Sequence, residues 1–182
     1  MMVHEHVRRA IVIVLRSEDM TAVELLRVRF DPLARSIPAH ITLIFPFESA
    51  LMSAQLRAHM ESVTACVPPF KIGLAGITGS EGVYLFLNVG SGTKSIIDLH
   101  DRLYAGPLHP HLSTDQAYVP HVTVGRLPNP RALQKAIGEA SAADLRVETK
   151  AEAISVYQLE RDGIRNMEFA VPLKARQKAS RG

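Results

Sequence analysis

With 182 residues, 47% of them hydrophobic and 21% charged, the chain is long enough for one sizeable core and too short for several independent domains. Its net charge of +3 is local: Lys174, Arg176, Lys178 and Arg181 fall in the last nine residues without an acid among them, and leaving them out brings residues 1–173 to about −1. A nearly neutral body excludes a large phosphate-backbone footprint and favours a small phosphorylated ligand or one end of an RNA.

A single cysteine, Cys66, rules out an internal disulfide and, set in an apolar helical stretch, reads as a small buried residue in a reducing compartment. The first residues lack an apolar signal core, and no apolar run approaches the ~20 residues of a membrane span. The expected location is cytoplasmic, with no membrane partner.

In chain order, Arg9 to Leu15 is β-branched and nearly continuous, as in a central strand covered on both faces. Asp19 opens a helix whose apolar positions 22, 25, 26 and 30 recur at helical spacing until Pro32. A strand from His40 to Phe45 follows Pro38. Ser49 then caps a helix with Met52, Leu56, Met60 and Val63 on one face, stopped by Pro68 and Pro69. Phe70 to Ile77 and Val83 to Val89 form a hairpin around Thr-Gly-Ser-Glu-Gly, and Thr93 to Ala105 is a helix closed by Gly106-Pro107. The strand His121 to Leu127 leads to Asn129 as cap and Pro130 as first residue of a helix ending near 143. Two strands, Arg146 to Leu159 and Met167 to Leu173, meet at Arg161-Asp-Gly. Residues 1–173 are thus expected to form one domain and 174–182 a basic flexible tail. Each half runs strand, helix and hairpin around a strand that begins with histidine, an internal duplication of pattern.

Those two strands carry the chemistry. Residues 40–43 read His-Ile-Thr-Leu and residues 121–124 read His-Val-Thr-Val, one pattern written twice 81 residues apart. On a strand, positions i and i+2 share a face, so each copy presents an imidazole and a hydroxyl to one side and apolar anchors to the other. Brought together, His40 and His121 supply a base and an acid for a phosphodiester, and Thr42 and Thr123 supply hydroxyl donors for its non-bridging oxygens. An imidazole pKa near ~6.5 allows one neutral and one charged copy at cellular pH.

The stretch from Pro38 to Phe47, Pro-Ala-His-Ile-Thr-Leu-Ile-Phe-Pro-Phe, resembles the first motif of the 2H phosphoesterase superfamily. Val119 to Leu127 is similar to its second. Members include 2'-5' RNA ligase-like proteins and RNA 2',3'-cyclic phosphodiesterases. The resemblance implies an α+β, bilobal, pseudo-symmetric fold, with two antiparallel sheets lining a central cleft and helices packed outside. It also implies cofactor-free and metal-free chemistry on 2',3'-cyclic or 2'-5'-linked phosphates of nucleotides or RNA ends, with His121 activating water and His40 protonating the leaving group.

A single His-x-Thr strand is commonly structural; two copies in matching contexts argue for catalysis, because an unpaired inward imidazole costs free energy in a core. Two histidines fall short of the three or four protein ligands that zinc takes, and the loop Leu108-His-Pro-His111 adds no recognisable spacing, so no metal is expected. His4, His6, His59 and His100 read as surface or helix-face residues. Phe45, Phe47, Tyr84, Phe86, Tyr118 and Tyr157 are candidates for core or base stacking; alternation puts Tyr84 and Phe86 on one face. Phe45 and Tyr84 are taken as substrate-binding candidates. Arg126 joins them as a phosphate contact if a bend at Gly125 turns it back, since it lies an odd number of residues from His121. The rival readings are a non-catalytic nucleotide or RNA-end binder using the same cleft and a metal-dependent hydrolase. A monomer is the default.

Overall fold

The structure, a computed structural model, describes residues 6–115, 117–161 and 165–175. The elements are β1 (Val7–Val14), α1 (Met20–Phe30), β2 (His40–Ser49), α2 (Ser53–Thr64), β3 (Phe70–Ser80), β4 (Tyr84–Ser91) and α3 (Thr93–Leu103), then a 3-10 turn (Gly106–His111), β5 (His121–Arg126), α4 (Pro130–Ala142), β6 (Arg146–Ala151), β7 (Ala153–Leu159) and β8 (Arg165–Pro172). Local chemistry accounts for several boundaries. Asn129 caps α4 by accepting from the Ala132 amide at 2.9 Å, with Pro130 at the first helical position as the sequence predicts.

Among the described residues, all eight strands belong to one antiparallel sheet in the order β6-β3-β4-β5-β2-β1-β7-β8. The two sheets expected from the sequence are therefore continuous, joined where β2 meets β5 by the pair Ile41↔Val122. The halves are also nested rather than successive: β3 to β6 form one side, and β1 and β2 join β7 and β8 on the other.

The stretch read as one strand from Arg146 to Leu159 is two, parted at Glu152. β6 alternates as an edge strand, with Val147, Thr149 and Ala151 buried, whereas β7 is buried over four consecutive residues between β1 and β8. One residue thus links the first strand of the sheet to the seventh. Laid flat, those strands would lie about 29 Å apart at ~4.8 Å per spacing, while two Cα steps reach about 7 Å. The sheet must curl until its ends approach.

The helices and the main apolar cluster share one face, on which Ile11, Ile13, Ile41, Leu43, Leu85, Leu87, Val122 and Val124 are fully covered. α1 packs on β5 of the other half, and α3 packs on β2, so a helix of each half backs a strand of the other at the joint.

Four local expectations are corrected. The buried face of α1 is Met20, Val23 and Arg27, and Leu25 is exposed; Arg27 is accepted there because Asp31 and Glu24 neutralise it at 2.8 and 3.0 Å. α2 starts after Met52, not at Ser49, which ends β2. Cys66 lies beyond the last turn of α2 and is exposed. His100 is buried rather than on a surface face, because the Leu43 carbonyl satisfies its ring. Lys174 and Ala175 are exposed; the rest of the expected basic tail, the Asp162-Gly163 turn and His4 lie outside the described residues.

Candidate functional site

β2 and β5 fold alike. In both, the burial from histidine onward runs half-buried, buried, half-buried, buried, buried, exposed, so His40 and Thr42, and likewise His121 and Thr123, share the face away from the helices. That is the alternation the sequence predicts. Carried one residue either way, the Ile41↔Val122 pair sets His40 across from Thr123 and Thr42 across from His121. The four motif residues therefore form one patch at the joint.

Both imidazoles are held in the same way. Nδ1 of His40 lies 2.7 Å from the Pro38 carbonyl and Nδ1 of His121 lies 2.8 Å from the Val119 carbonyl. A carbonyl only accepts, so each Nδ1 carries a proton, and when a ring is neutral its Nε2 keeps the lone pair. Burial lowers the pKa of both rings, and the carbonyl bonds oppose this in part. At His40 the Arg27 guanidinium adds to the lowering while Asp31 and Glu24 oppose it. Glu24 also accepts from the Ala39 amide at 2.6 Å, which fixes the chain entering β2.

The aromatic candidates separate. The Phe86 ring lies flat on His121, with centroids 3.7 Å apart and planes at 25°, and Tyr84 stacks on Phe86 at 6.1 Å. The Arg126 guanidinium sits 5.7 Å above the Tyr84 ring. Leu85 pairs with Gly125 but Phe86 with Thr123, so β5 carries one extra residue, Val124. This bulge returns Arg126 to the face of His121 and Thr123 despite its odd spacing. Gly125 makes the bulge packable, because a Cβ there would lie 2.8 Å from Cβ of Phe30 on α1. Phe45, 48% exposed, stands off from this ladder and meets Tyr118 edge-on at 6.4 Å. Phe47 and Tyr157 are buried, and Phe47 packs in the main core.

Phe86 was among the stacking candidates, and its shared face with Tyr84 was legible in the sequence, but its contact with His121 was not. Sequence reading also missed the hydrogen bond from the Tyr118 hydroxyl to the Thr42 carbonyl, 2.7 Å. Nothing local signals that contact, since its partners are 76 residues apart. Among the described residues no group of three or more His, Cys, Asp or Glu could hold a metal ion, and no helix is long and apolar enough to cross a membrane.

A family profile described as the 2'-5' RNA ligase superfamily matches residues 15–163. A relative from Bacillus pumilus (strain SAFR-032), named as a candidate phosphoesterase, is 31% identical over 103 residues, 55% of this chain and 58% of its own. One from Geobacillus thermodenitrificans (strain NG80-2), named likewise, is 30% identical over 106 residues, 55% of this chain and 58% of its own. The match thus spans under three fifths of the length of these relatives. Among solved structures, E. coli LigT complexed with 3'-AMP is similar at a TM-score of 0.65 and 15% identity, covering 93% of this chain and 99% of that one. A structure described as a phosphoesterase gives 0.64 at 16% identity with the same coverage. At such identities the likeness is one of fold. The profile covers both His-x-Thr-x strands, and the kinship indicated by the motifs stands: this chain belongs to the 2'-5' RNA ligase superfamily of 2H phosphoesterases.

Proposed function

We propose that the chain is a metal-independent phosphodiesterase that opens 2',3'-cyclic phosphates or cleaves 2'-5' linkages of nucleotides or RNA ends, using His40 and His121 as an acid–base pair. The observation that carries this reading is the matched tethering of the two rings, each with Nδ1 bound to the carbonyl two residues earlier and Nε2 left for the reaction.

In hydrolysis of a cyclic phosphate, the neutral imidazole takes a proton from water as its oxygen bonds to phosphorus. The protonated imidazole gives its proton to the ribose oxygen as the ring P–O bond breaks. We assign the first role to His121 and the second to His40, following the family pattern. Thr42 and Thr123 donate to the non-bridging oxygens, where charge builds up. Phe86 and Tyr84 offer a stacking surface to a base beside His121, and Arg126 offers a cation to a neighbouring phosphate. Residues 1–173 act as one catalytic unit in the cytoplasm, without a cofactor.

The test is a screen of cyclic and 2'-5'-linked phosphates in excess chelator. Native protein is expected to turn over at least one of them, and His40→Ala or His121→Ala to lower the rate at least ~10²-fold, the typical loss with an acid–base group. Full activity in either variant, or binding without turnover by the native chain, would refute the assignment.

A further inference from the structure

The joint between β2 and β5 is short of ladder bonds, yet buried main-chain groups need partners. The groups just beyond the Ile41↔Val122 pair find them in aromatic side chains. Tyr118 donates to the Thr42 carbonyl at 2.7 Å and Nδ1 of His100 donates to the Leu43 carbonyl at 2.8 Å. The rings support one another: His100 lies flat on Tyr118, with centroids 3.7 Å apart and planes at 6°, and Tyr104 meets His100 edge-on at 4.9 Å.

We propose that Tyr118 and His100 form a strut that sets the distance between the two histidine strands, making both of them positioning residues for the reaction put forward above, on which this inference rests. Tyr118 is placed to do so. Its hydroxyl grips the main chain of Thr42, two residues after His40, and the next residue, Val119, supplies the carbonyl that holds His121. A single side chain thereby ties the first motif to the second. His100 reaches the same stretch of β2 from α3, so the tie is braced from the helix layer. Burial raises the pKa of the Tyr118 hydroxyl, which keeps the proton it donates, and lowers that of the His100 ring.

Two imidazoles that must serve one phosphorus tolerate little error, and misplacement by ~1 Å costs on the order of 10²-fold. Tyr118→Phe removes one oxygen and keeps the ring on His100. The variant is expected to stay folded by circular dichroism and to lose kcat about tenfold or more with KM within about twofold. The ring C–H resonances of both His40 and His121 are expected to move in its NMR spectrum, a readout that needs no turnover. Should Tyr118→Phe fail to fold, His100→Phe keeps the stacked face and deletes only the donor to Leu43, with the same split expected. If native protein is active and the variant keeps its kcat, or loses only folded fraction, the strut is overturned. If native protein turns over no phosphodiester, the functional reading fails instead, and unmoved His40 and His121 resonances would still reject the strut.

Discussion

A histidine tied through Nδ1 cannot turn its ring to exchange nitrogens, so all proton traffic at His40 and His121 passes through Nε2. Burial, the larger influence at each ring, holds both pKa values below the usual 6.5. In the proposed reaction the base works only when neutral, above its own pKa, and the acid only when protonated, below its own. Lowering both moves the window downward, and the maximum of kcat/KM, which reports the free enzyme, is expected on the acid side of 6.5. A pH–rate profile with its maximum on the alkaline side contradicts this. At this scale the sequence was informative about identity and silent about company. The doubled His-x-Thr-x pattern named four residues that share one patch, because strand alternation is a local rule. Phe86 on His121, Tyr118 on Thr42 and Arg27 near His40 depend on contacts between distant segments, which alternation does not encode.

Elements were legible where one periodicity ruled and misread where packing overrode it. α4 follows its cap and its proline, whereas the inward face of α1 was misjudged because a charged residue, Arg27, occupies one of its buried positions. β5 shows the finer case: the odd offset of Arg126 pointed it away from His121, and the bulge at Val124 turned it back. Gly125 makes that geometry possible by leaving Phe30 room to approach. Gly125→Ala places a methyl 2.8 Å from the Phe30 Cβ and 3.2 Å from the Leu85 Cβ. The expected loss is about 1–3 kcal/mol, as for other overpacked sites, read as a lower urea midpoint. Gly138→Ala in α4 is the control. A Cβ there meets nothing within 4 Å, and the exchange should stabilise by roughly 0.5–1 kcal/mol through helix propensity. Equal midpoints for the two variants would show that α1 does not press on the bulge.

At the scale of the whole molecule, the chain order is the unexpected feature. β1-α1-β2-α2 and β4-α3-β5-α4 repeat one order, as the sequence suggested, but the strands completing each half are taken from either side: β7 and β8 for the first, β3 and β6 for the second. The residues 70–151 hold four contiguous hydrogen-bonded strands and two helices and look self-sufficient. They are not expected to be. Without α1, β5 loses the helix that covers it, and without β2, α3 loses its seat and His100 its acceptor. The isolated fragment should show no cooperative urea transition, and a sharp one would establish an independent folding unit. The sequence could not announce this nesting, because the chain returns from the second half to the first on one residue, Glu152, which carries no turn signal. The same arrangement bears on how the protein is made. β1, with its run Ile11-Val12-Ile13, emerges well ahead of its partner β7, which begins only at Ala153. At roughly 5–20 residues per second, a ribosome leaves that apolar edge unpaired for on the order of ten seconds. Until β7 follows, a nascent chain of this design presents a sticky β-branched ribbon, so its yield in the cell should depend on chaperones that shield β1 over that interval.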